Sequence, residues 1–128
     1  MPNLMVVVQG MTPIPWGCNE WAWRKAMAEQ ARAERLHQQI VPVVSTTRFS
    51  VAIVFFMTAA HIQRADLDNL AKPVLDTLFL IRNAQVRDMS LTGALFDVDD
   101  ARVFKLSLEK RDVPNAQNEG VQVTISWE

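Results

Sequence analysis

The chain is expected to fold as α+β: a single mixed β-sheet packed with two main helices, in the order β-α-β-α-β-β. Three observations carry this. Short runs rich in Val, Ile and Phe stand near both ends and in the middle of the chain. Two longer stretches between them carry helix-forming residues or apolar residues at helical spacing. Pro, Gly and Asn clusters separate these elements, and 128 residues are enough for one core and too few for two, so residues 1–128 read as one domain.

Residues 4–9, LMVVVQ, suit a core strand, and MTPIPWG ends it with two Pro and a Gly. Asn19 is a suitable N-cap for a helix running to about Gln39, with Glu20 in its first turn. Trp23, Ala26, Met27, Ala33 and Ile40 give that helix an apolar stripe, which leaves Arg24, Lys25, Arg32 and Arg35 on a basic outer face. Residues 48–58 are the densest run of β-formers and read as a strand buried on both faces. Leu70, Val74, Leu75 and Leu78 predict a second helix over residues 69 to about 81. Pro73 is least strained if that helix starts near Asp68, with the proline in its early turns. Residues 82–98 read as a long loop, and 101–109 and 121–127 alternate as two strands about the polar turn RDVPNAQNEG.

Composition narrows the function. Cys18 is the single cysteine, so no intrachain disulfide forms, and a reducing cytoplasm is the expected compartment. The longest apolar run, 51–60, is about half of what a membrane-spanning helix needs, and the N-terminus lacks the basic region and cleavage site of a secretory signal. No membrane role is expected. The net charge of −1 is low for a nucleic-acid-binding protein, but it is unevenly spread. Residues 1–65 hold six Arg or Lys against three Glu, and residues 66–128 hold seven against eleven acids.

The acids concentrate in RADLDNLAKPVLD (64–76) and FDVDDARV (96–103). Carboxylates at i and i+2 share a direction on extended backbone and lie about 200° apart on a helix. Asp66 and Asp68 are therefore expected where an extended segment enters a helix. An EF-hand loop is excluded, because Ala71 stands where a glycine is required and Leu70 replaces an oxygen donor. A glycosyltransferase DxD site needs a larger nucleotide-binding fold than this chain allows.

Arg64, Asp66-Leu67-Asp68-Asn69-Leu70, Lys72, Asp76 and Leu78, followed by Asp99-Asp100 ahead of a strand beginning near Val103, resemble the RusA family of Holliday junction resolvases, usually prophage-encoded. The resemblance covers most of the chain and implies a RusA-like endonuclease fold. It implies that Asp66, Asp68 and Asp100 are metal-binding catalytic aspartates and Lys72 the essential lysine, with Asn69, Asp76 and Asp99 in supporting positions. Oxygen-only ligands suit Mg²⁺, with Mn²⁺ as a second possibility. The implied activity is Mg²⁺-dependent cleavage of four-way junctions by paired nicks, in recombination or repair, by a homodimer. Arg24, Lys25, Arg32, Arg35, Arg48, Arg64, Arg82, Arg87, Arg102 and Lys105 are the expected phosphate contacts.

The chain departs from the family pattern in three respects. Ala65 replaces the basic residue usually found directly before the first aspartate, the connection 79–98 is longer, and the charge is near neutral. These departures keep a second function in view, a catalytically inactive DNA-binding or phage structural protein on the same fold.

Overall fold

Alternation of buried and exposed side chains sets the sheet. The structure is a computed structural model and describes residues 2–40, 43–81 and 90–128. Strands β1 (Asn3–Gln9), β2 (Phe49–Met57), β3 (Val103–Asp112) and β4 (Gly120–Trp127) form one mixed sheet in the order β1-β4-β2-β3. β4 is antiparallel to both β1 and β2, with Val6 opposite Val123 and Ile53 opposite the same residue. β2 and β3 are parallel. A parallel pair needs a crossover, which helices α2 (Ala59–Ile62) and α3 (Leu67–Leu78) supply, while α1 (Trp21–Gln38) joins β1 to β2. The one-turn helix α2 is an element that the sequence pattern does not announce.

Leu4, Val6 and Val8 of β1, alternate residues Phe49 to Met57 of β2, and Val121, Val123 and Ile125 of β4 all point to one buried face. The helices cover only that face. β2 is consequently not buried on both faces as its composition suggests, because Ala52 is exposed and Ser50, Val54 and Phe56 are half-buried. Met5 and Val7 stand exposed on the uncovered side of β1.

α1 differs from its expected form at its start and in its buried face. The N-cap is Glu20 rather than Asn19, and the Glu20 carboxylate accepts the Gly17 N–H at 3.0 Å. Its buried residues are Trp23, Arg24, Met27, Ala28 and Ala31, a stripe at spacings of three and four. Arg24 is therefore turned into the protein, and Ala33, assigned to the stripe by composition, is exposed. Trp23 is buried and Trp21 and Trp16 are about half exposed.

α3 is amphipathic, burying Leu70, Ala71, Pro73, Val74, Thr77 and Leu78. It begins one residue before Asp68, so Pro73 lies in its interior. A proline has no N–H for the carbonyl four residues back, here that of Asn69. The Trp16 N–H takes that place at 2.8 Å and docks the loop before α1 onto α3.

Residues 90–98 are not a surface loop. Leu91, Ala94, Leu95 and Phe96 are buried, and the N–H groups of Gly93, Ala94 and Leu95 donate to Phe79, Thr77 and Leu78 carbonyls at the end of α3. Buried apolar side chains and satisfied backbone make this stretch part of the core. Phe96 meets Phe49 at 4.7 Å and Trp127 at 5.2 Å between ring centres, and Phe79 closes the cluster. Arg82 and Arg87, assigned to the same loop, lie outside the described residues. No helix among the described residues is long and apolar enough to cross a membrane.

Candidate functional site

The chain is extended at Asp66, the N-cap of α3, and helical from Leu67. This is the arrangement that the DxD spacing requires. The Asp66 carboxylate makes no capping hydrogen bond, and Asp68 stands exposed in the first turn. Lys110 of β3 fixes the approach from below, donating to the carbonyls of Ile62 at 2.7 Å and of Ala65. Nothing in the sequence pattern marks Lys110 for this role.

Asp68, Lys72 and Asp76 recur every four residues and share one face of α3. Lys72 Nζ lies 3.6 Å from the Asp76 carboxylate, and its ammonium stands 5.7 Å from the centre of the Trp16 ring. At the other end of the helix, Leu80 and Asp99 form a parallel bridge that carries Asp99 and Asp100 to the last turns of α3. Asp99 accepts the Ala101 N–H at 2.8 Å and starts a short 3-10 turn, Asp100–Arg102, ahead of β3.

Asp100 is held above the ordinary aspartate value of 3.8 by partial burial first, then by its hydrogen bond and repulsion with Asp99 and by the charge of Asp76. Lys72 works against this rise. The site thus brings Asp76, Asp99, Asp100 and Lys72 together, and negative charge outweighs positive among them. Asp66 and Asp68 are at the opposite end of the helix face, since eight residues of α-helix separate Asp68 from Asp76 by about 12 Å. Among the described residues, no three His, Cys, Asp or Glu side chains converge in the geometry of a metal centre. The donors fit Mg²⁺ held by one or two carboxylates and its own water, a mode usual for that ion. They do not form a cage of three.

The basic residues divide sharply. Arg24 is buried and does not face solvent, because its Nε donates to Thr77 Oγ1 at 2.9 Å and its Nη2 to the Leu91 carbonyl at 2.6 Å and the Asp76 carbonyl at 3.4 Å. Arg32 donates to the Ser90 carbonyl, and Arg35 pairs with Asp97 at 3.8 Å. Three arginines of α1 thereby clamp segment 90–97 against α3. Lys25 lies over the Trp21 ring. Arg102 donates to the carbonyls of Thr46 and Thr47 and, with Arg48, flanks the Phe104 ring. Lys105 and Arg64 are exposed.

A cavity of about 510 Å³ opens beside Asp76, walled by Trp16, Glu20, Trp21, Arg24 and Leu91 among others. The sequence gives no sign of it, since its walls come from three distant segments. A second polar centre is also missing from the sequence reading. Glu119 is fully buried just before β4 and accepts from Thr12 Oγ1 at 2.8 Å, the Thr58 N–H at 2.9 Å and His61 Nδ1 at 2.8 Å. Burial acts to raise its pKa, but these hydrogen bonds outweigh it and hold the carboxyl below the ordinary value of 4.5. Gly120 makes this possible, because a Cβ there would stand 2.0 Å from the Val8 carbonyl oxygen.

No protein-family model matches the chain, and no curated protein matches it either.

Proposed function

We propose that this chain is a RusA-like, Mg²⁺-dependent endonuclease that acts as a homodimer on four-way DNA junctions in the cytoplasm, in recombination or repair and from a prophage. The observation that carries the reading is the crowding of Asp76, Asp99 and Asp100 about Lys72, which leaves Asp100 reluctant to ionise. Excess carboxylate at one spot of an otherwise ordinary surface is relieved by a divalent cation. Asp100 would hold that cation, and Asp66 and Asp68, the further ligands that the family pattern implies, would reach it only through its water shell. The ion supplies polarisation of the phosphate and lowers the pKa of bound water. Lys72, restrained by Asp76, is suited to neutralise charge that develops on the phosphate oxygens. Trp16, half exposed beside Lys72, offers a ring face to an unpaired base.

The test is cleavage of a synthetic four-way junction with and without Mg²⁺. Asp68→Asn and Asp100→Asn are expected to lower the rate by on the order of 10²-fold or more while junction binding persists. Either variant cutting at the normal rate refutes the site. A second reading, an inactive DNA-binding or phage structural protein, is favoured by the failure of three carboxylates to converge among the described residues. It prevails if the wild-type protein binds the junction and cleaves no branched DNA with Mg²⁺ or Mn²⁺.

A further inference from the structure

We propose that the cavity beside His61 binds one nucleotide, with His61 Nε2 and Arg64 on the phosphate and an apolar wall against the sugar and base. The cavity measures about 440 Å³ and lies between the loop after β1 and the α2–α3 junction. That volume falls within the roughly 300–1,000 Å³ of small-molecule sites. His61 and Arg64 line it together with the apolar Pro13, Ile14, Pro15 and Met57.

The polar end is built from the buried carboxylate outward. Glu119 is ionised and can only accept, so the His61 Nδ1, 2.8 Å from Oε2, carries the proton of that bond. This fixes the ring plane and leaves Nε2 for a ligand, as second-sphere carboxylates do for functional histidines, and in the imidazolium form Nε2–H donates to a phosphate oxygen. Thr58 Oγ1 lies 3.3 Å from the same ring nitrogen and the same carboxylate. His61 is about one-third exposed, and among the described residues neither Nε2 nor the Arg64 guanidinium has a hydrogen-bond partner. A surface histidine needs no buried carboxylate behind it; a histidine that must present one nitrogen in a set direction does. An arginine beside it adds a forked donor matched to phosphate oxygens. The site shares Arg64 with the phosphate contacts expected of the cleavage reading, but its geometry does not involve Asp66, Asp68 or Asp100, so it stands or falls without them.

The chain holds two histidines, and His37 is exposed on α1, so it serves as an internal reference. The imidazole signals of the intact protein would be followed by NMR, without divalent metal, during addition of thymidine 5′-monophosphate, inorganic phosphate or thymidine. The nucleotide is expected to shift the His61 signals to saturation and to leave His37 in place, and thymidine alone to shift neither. Calorimetry should show His61→Gln and Arg64→Gln each weakening nucleotide binding about tenfold, the scale of one charge-assisted hydrogen bond. The proposal is overturned if His61 does not respond, if His37 moves in parallel with it, or if Arg64→Gln binds as tightly as wild type. Inorganic phosphate binding as tightly as the nucleotide would overturn the assignment of the apolar wall.

Discussion

The two carboxylate centres of this protein are opposites. Glu119 is wholly buried, yet it is surrounded by donors and ionises more readily than an ordinary glutamate. Asp100 is exposed, yet it sits among other acids and ionises less readily than an ordinary aspartate. Desolvation pushes both carboxyls upward, and the partners decide whether it prevails: at Glu119 the hydrogen-bond donors outweigh it, whereas at Asp100 partial desolvation leads and two neighbouring carboxylates add to it against one lysine. A satisfied charge of the first kind builds structure. A frustrated charge of the second kind is what the proposed cation would relieve.

Removing the satisfied carboxylate should have the largest effect. Glu119→Ala leaves the half-buried Thr58 N–H, Thr12 hydroxyl and His61 without their acceptor, and is expected to destabilise the protein by about 3 kcal/mol, read from urea midpoints. A loss near zero would mean that water replaces the carboxylate and that the two centres are alike. The next effect is on acid stability. Because Glu119 has a lowered pKa when folded, its contribution is complete above the ordinary value of 4.5 and disappears as pH falls through the lower, folded value. Glu119→Gln should therefore flatten the fall in melting temperature below pH 4.5, and an unchanged slope would assign that fall to other groups.

Asp100 gives a smaller effect of opposite sign. Its raised pKa means that ionisation costs folding free energy above pH 3.8, so Asp100→Asn should raise the melting temperature slightly at pH 7 in a chelator. Mg²⁺ should stabilise the wild type and not the variant. Equal response to Mg²⁺ in both would remove Asp100 from the proposed set. Smallest of all is Lys72→Ala, which loses one pair between an exposed lysine and the half-buried Asp76 and should change stability by less than about 0.5 kcal/mol. Junction cleavage, by contrast, should fall steeply if Lys72 acts on phosphate.

The contrast also explains what the sequence discloses. The mixed sheet, the extended entry at Asp66 and the amphipathic α3 follow from short-range patterns and were legible, whereas the single covered face was not, because the density of β-formers in β2 suggested burial on both. Arg24 was not, because a long cationic side chain on a helix is ordinarily solvated, and its partners are carbonyls of Asp76 and Leu91 more than fifty residues away. Segment 90–98 lacks any periodic pattern, so its place in the core depends on bonds to the end of α3. Glu119 looked like part of a polar turn. A signal was nevertheless present, since counting back by two from Ile125, Val123 and Val121 places residue 119 on the inward face of β4. The RusA-like motif marks which acids to consider, but it holds no information on which of them meet.

Pro73 has a consequence beyond its own turn. Ahead of the last turn of a helix every carbonyl is ordinarily claimed by the segment that carries it, and a neighbouring loop finds no purchase on the backbone. Here the ring withdraws one claimant, and the vacated acceptor of Asn69 becomes a socket for Trp16. Alanine at position 73 would return a competing donor to that oxygen, strengthening the helix while loosening the aromatic residue beside Lys72. A local weakness in α3 is thus the anchor that keeps a distant ring at the edge of the acidic cluster.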